Sequence, residues 1–224
     1  MIGLLMAALL GGAQPSPLSP QATALIAPVR QALDAERKAQ TALPPPASDA
    51  EKLERMGRMD QVGRRVLTGI DLTVLPLQER DPASKAMWAP IKEIDAENQK
   101  ALLAMTPPEG WFLKSRYGAR ASQAAFNIVQ HSDLSLWRRF VPVLEPLVTT
   151  GEVEGQSYGL MYDRLAINEG RPQRYGSQMT CKDGKYVVDR LEAPEQVDAR
   201  RKAMGFPQTL AEYEAIFAQY PPCT

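Results

Sequence analysis

Apolar residues recur at helical spacing along most of the chain. Leu25, Ile26, Val29 and Leu33 share one face of residues 21–43, which predicts a short amphipathic helix. Pro44-Pro45-Pro46 stops it, and Ser48 or Asp49 offers an N-cap to the next helix. Leu53, Met56, Gly63, Val66, Leu67 and Ile70 make a stripe over 49–70. Met87, Ile91, Ile94, Leu102 and Met105 make another over 83–105, which Pro107-Pro108 and Gly110 end. Residues 119–132 read as a small-residue helix through Ala121, Ala124, Ala125 and Ile128. Residues 134–149 read as another, interrupted by Pro142 and Pro146. Residues 155–168 are apolar on more than one side, as in a buried helix. The period then shortens to two. A Lys182-Asp183-Gly184 turn between two β-prone runs predicts a hairpin. Helices near 195–204 and 208–219 complete the pattern. The fold expected is mainly α, a helical domain with one small β-hairpin inserted near the C-terminal third.

The first residues follow a different rule. Ile2 to Leu10 is apolar, and Gly11-Gly12-Ala13 resembles a cleavage site, so residues 1–13 are expected to be a signal peptide. No Lys or Arg precedes the apolar run, which is too short to span a bilayer comfortably. The expected organisation is a signal peptide at 1–13, a Pro/Ala-rich linker with a short amphipathic helix at 14–48, and one helical domain at 49–224. Export implies a periplasmic or secreted protein with no stable membrane span after signal removal. In an oxidising compartment Cys181 and Cys223 can pair; the alternative is two independent thiols.

Charge narrows the class of partner. Lys plus Arg number 26 and Asp plus Glu number 26, so no basic excess marks a nucleic-acid binder. One histidine, and two cysteines outside any C-x-x-C, argue against a zinc site, and no cofactor is expected. Walker, G-x-G-x-x-G and G-x-S-x-G motifs are absent.

Polar residues interrupt the apolar faces at four places. Asp95 and Asn98 lie in the stripe formed by Ile91, Leu102 and Met105, and a buried carboxylate there needs a partner. Asp60 and Arg64 are spaced as a surface ion pair, or as an inward pair beside Gly63. His131, preceded by Gln130, ends a small-residue face and suits proton transfer near neutral pH; a hydrogen-bonded core histidine is the plainer alternative. Asp163-Arg164 sits in an apolar run. Asp163 could orient His131, and Arg164 could hold a carboxylate or phosphate. The plainer alternative is a salt bridge pinning the hairpin. Gln173 and Gln178 flank Tyr175-Gly176 just before it.

From about residue 50 to 220 the chain resembles DUF6624, a family of uncharacterised bacterial proteins. MDQVGRR (59–65), DAENQKALLAM (95–105), GWFLKSRYGARASQAAFNIVQHSD (110–133), YDRLAINEGRPQRYGSQ (162–178) and VDARRKAMGFPQTLAEY (197–213) carry the resemblance. The family pattern matches at Asp95, Asn98, Gly110-Trp111, Gln130-His131, Asp163-Arg164, Gln173, Tyr175-Gly176, Gln178 and Arg200-Arg201. It departs at Phe112 for proline, Ser132 for alanine, Ser177 for threonine and Phe206 for leucine. The resemblance implies no activity, but its polar residues are those that interrupt the apolar faces.

The economical reading is one polar pocket. His131 and Asp163 would be catalytic, with Arg164, Gln173, Gln178, Asp95, Asn98 and Gln130 binding substrate in a cofactor-free hydrolase. The alternatives are a module binding a small polar ligand or peptide without chemistry, and a purely structural network.

Overall fold

The computed structural model describes residues 17–220 and Cys223; the expected signal peptide at 1–13 lies outside them. Ser19 caps α1 (Pro20–Thr41) by accepting from the Ala22 N–H, and Ser48 caps α2 (Asp49–Leu67) through Glu51. A 3-10 turn at Leu72–Val74 leads into α3 (Leu77–Met105). The last is six residues longer at its start than the stripe predicts. Pro82 lies inside the added turns on the exposed side, where water can replace the one bond it removes. The short α4 (Lys114–Tyr117) precedes α5 (Ala119–Gln130) and α6 (Leu134–Thr149). Pro142 and Pro146 do not interrupt α6: both are exposed, four residues apart on its solvent face. α7 (Gly155–Asn168) follows, then the antiparallel strands β1 (Met179–Lys182) and β2 (Lys185–Val188), then α8 (Val197–Ala203) and α9 (Leu210–Phe217). Among the described residues this is a mainly α fold with one hairpin. The hairpin loop is Asp183-Gly184, with φ of 51° and 75° as a two-residue primed turn requires.

α2 packs against α1, α3 and α5 and feeds two cores. Leu53 and Met56 join Trp111, Phe112, Phe126, Phe140 and Met161 on one side. Met59 joins Val29, Leu33, Met87, Ile91 and Ile94 on the other. Each such fully buried side chain contributes roughly 1.5–3 kcal/mol. The α2–α5 crossing is close because Gly57 has no side chain: a Cβ there would stand 2.6 Å from the Ala124 Cβ.

The C-terminal segment returns to the hairpin. Tyr213, Phe217 and Tyr220 form edge-on aromatic contacts that reach Tyr186 on β2. Cys181 and Cys223 form a disulfide with Cα atoms 5.7 Å apart.

Two predictions test this packing. Gly57→Ala should destabilise the protein by about 1–3 kcal/mol despite its better helix propensity, and Ala124→Gly in the same chain should restore part of the loss; a double-mutant cycle in urea reads it. Cys181→Ser with Cys223→Ser should cost up to about 4 kcal/mol, the chain-entropy value for a bridge spanning 42 residues, measured by denaturation under non-reducing conditions.

Candidate functional site

α2 turns Asp60 into the space between the two cores, where its side chain keeps 1% of its exposure. A carboxylate so placed needs donors from several directions. Three side chains supply them. Gln61 Nε2 donates to Oδ2 at 2.7 Å, and Arg64 Nη1 donates to Oδ1 at 3.2 Å. His131 Nδ1 lies 2.9 and 3.0 Å from the two oxygens. The carboxylate accepts, so Nδ1 carries the hydrogen in the neutral ring and Nε2 keeps its lone pair. Arg64 also donates from Nη2 to Asp95 Oδ2 at 2.8 Å, tying α2 to α3. The other oxygen of Asp95 is buried with no partner among the described residues.

His131 stands at the C-terminal end of α5 and lines an open groove of about 850 Å³. Asp95, Gln130, Arg164 and Gln178 line it too, as do Arg64 and Lys92, with Trp88 and Trp137 as aromatic walls. Nε2 of His131 has no partner among the described residues. Arg164 donates from Nη1 to the Gln130 carbonyl at 2.9 Å, and its guanidinium lies 5.9 Å from the centre of the Trp137 ring. It forms no ion pair among the described residues. Burial lowers its pKa, and no acidic neighbour offsets that. Ser132 lines the groove as well, but its hydroxyl donates to the Val129 carbonyl at 2.6 Å.

Asp163 does not orient His131. The two residues are adjacent to different partners, and Asp60 holds the imidazole. The Asp163 carboxylate is fully buried and accepts from the backbone N–H groups of Arg174, Tyr175 and Ser177 at 2.7–3.2 Å. Burial pushes its carboxyl above the ordinary range, and those three donors oppose the shift. Gly176 makes the loop that wraps it, with φ of 63° and no room for a Cβ beside Leu210. Nor does Asp163 pair with Arg164, whose guanidinium turns instead to the Gln130 carbonyl and the Gln178 side chain.

Gln173 is likewise outside the groove. It is fully buried: its Oε1 accepts from the Gln178 N–H, and its Nε2 donates to the Gln178 and Asp189 carbonyls. Its backbone pairs with Arg190 and Glu192, so it clamps the hairpin stem. Asn98 is buried and donates to the Met56 carbonyl at 3.2 Å, bracing α3 on α2. Of the expected pocket residues, then, His131, Asp95, Gln130, Arg164 and Gln178 meet at one groove, while Asp163, Gln173 and Asn98 serve packing. The four-residue spacing of Asp60 and Arg64 allows a surface pair or an inward one. The structure turns them inward, and Gly63 beside them packs on Ile91.

A profile of the family of unknown function DUF6624 matches residues 47–220. The chain belongs to the DUF6624 family. No curated protein and no solved structure matches the chain. Within the DUF6624 match, Arg200 and Arg201 act on the Asp163 loop. Arg200 Nε donates to the Arg174 carbonyl at 2.8 Å, and the buried Arg201 donates to the Tyr175 and Gln208 carbonyls. Among the described residues no three His, Cys, Asp or Glu side chains are grouped as a metal site, and no helix is long and apolar enough to cross a membrane.

The Asp163 loop yields a stability prediction. Asp163→Asn puts an amide NH₂ against backbone donors and should cost about 2–4 kcal/mol. Differential scanning calorimetry should show the lower melting temperature.

Proposed function

We propose that this protein is an exported, cofactor-free hydrolase of a small anionic substrate, with His131 as general acid/base and Asp60 as the residue that positions it. The observation that carries the reading is the imidazole itself. One ring nitrogen is tied to a buried carboxylate, and the other is unpartnered at the wall of an open groove. Arg164 supports an anionic substrate: it is a partly buried cation in the same groove with no acid to neutralise it. Lys92, exposed on the groove's rim, adds to that charge.

In this mechanism Nε2 of His131 takes a proton from a water molecule as the water oxygen attacks the scissile centre. The Asp60 carboxylate stabilises the imidazolium that forms. Nε2 then gives the proton to the leaving group, so the net change is the addition of one water across the broken bond. Ser132 takes no part, because its hydroxyl is committed to a backbone carbonyl. A periplasmic or secreted location is supported by the apolar N-terminus and by the Cys181–Cys223 disulfide. A second reading, a binding module without chemistry, is favoured by Arg164 alone, since an uncompensated guanidinium holds an anion whether or not a bond is cut.

A thermal-shift screen of carboxylated and phosphorylated small molecules separates these readings. A ligand at 100 times its Kd should stabilise the wild type by about 2.7 kcal/mol. Arg164→Gln should lose most of that shift. Mass spectrometry should then find hydrolysed product with the wild type and none with His131→Gln, which still binds. Undiminished turnover by His131→Gln would sink the acid–base role; binding without product in the wild type would leave the binding module.

A further inference from the structure

A second cleft, of about 780 Å³, shares no lining residue with the His131 groove. Its floor is apolar: Gly57, Ala124, Trp111, Phe126 and Val153 line it. Its rim is charged, and the charges are unequally committed. Among its acids, Glu54 holds Arg120 at 3.2 Å, Glu154 holds Lys114 at 2.8 Å, and Glu152 accepts from the Ser115 N–H at 2.9 Å. Arg58 reaches outside the cleft to Glu36 at 3.2 Å. Arg65 is exposed on the rim and has no acidic partner among the described residues. The fully buried Trp111 has an indole N–H with no acceptor among those residues either. An apolar floor and a spare cation on the rim together describe a negatively charged ligand with an apolar body.

We infer that this cleft is a second binding site, and that it takes a small amphipathic carboxylate. The apolar tail lies over Trp111, Phe126 and Val153, and the carboxylate sits in the field of Arg65. The site involves neither His131 nor Arg164, so it stands or falls independently of the hydrolase reading.

The indole N–H signals of the ¹⁵N-labelled protein test this directly. The chain has three tryptophans, and Trp88→Phe and Trp137→Phe identify the Trp111 signal by elimination. Titration with sodium octanoate should move the Trp111 signal saturably, and octylamine should not. Ala119→Trp and Ser157→Trp, which fill the cleft from its solvent side, should each abolish the response. Arg65→Gln should weaken octanoate by about fivefold. The proposal is overturned by a Trp111 signal that stays fixed, by an equal response to octylamine, or by a response that survives both cleft-filling variants.

Discussion

The Asp60 carboxylate is removed from water between two apolar cores, and α2, α3 and α5 are arranged to satisfy it. An isolated carboxylate in such a place would cost several kcal/mol or take up a proton. Here three donors surround it, and each comes with a structural consequence. Gln61 and Arg64 come from its own helix. Arg64 continues to Asp95 and so fixes α3. His131 comes from the end of α5, which can approach only because Gly57 lets Ala124 through. The same bond that satisfies the acid sets the tautomer and direction of the imidazole. A group buried for structural reasons therefore leaves one ring nitrogen free at the groove.

Asp163 shows the other way to bury an acid. Its donors are backbone N–H groups of a single loop, and the loop is held in turn by Gln173, Arg200 and Arg201. No part of that cradle faces the groove. Most of the polar residues in the segments that match DUF6624 thus fall into two groups. One gathers around Asp60 and His131 beside an open groove; the other folds the segment 173–178 onto α7 and presents Gln178 at the groove's edge. Rigid placement of Gln178 and Arg164 depends on the second group, although none of its buried members would touch a ligand.

Helix positions and the hairpin are legible in the sequence because they follow from period alone. Asp183-Gly184 between alternating runs allows few other turns, and the stripe through Ile91 and Leu102 places Asp95 and Asn98 inward. Pro142 and Pro146 mislead because they lie on the solvent face of α6, where water can replace the bond that each removes. The partner of His131 is not legible either. Asp60 and Asp163 are both acids on apolar helices, and only the α2–α5 crossing decides between them. That crossing hangs on Gly57 meeting Ala124, a contact between residues 67 positions apart with no local signature. The donors to Asp163 are main-chain groups, which no side-chain pattern records. Gln173 and Gln178 look alike in sequence, yet one is a clamp and the other a groove residue.

His131 is the single histidine of the chain, so its ring nitrogens can be observed without competing signals. The most direct test of the Asp60–His131 pairing is a long-range ¹H–¹⁵N spectrum of the neutral imidazole in wild type and Asp60→Asn. The bond to Asp60 should put hydrogen on Nδ1 and leave Nε2 bare in the wild type, with that preference lost in the variant. A wild-type ring protonated on Nε2, or a tautomer unchanged by Asp60→Asn, would contradict it.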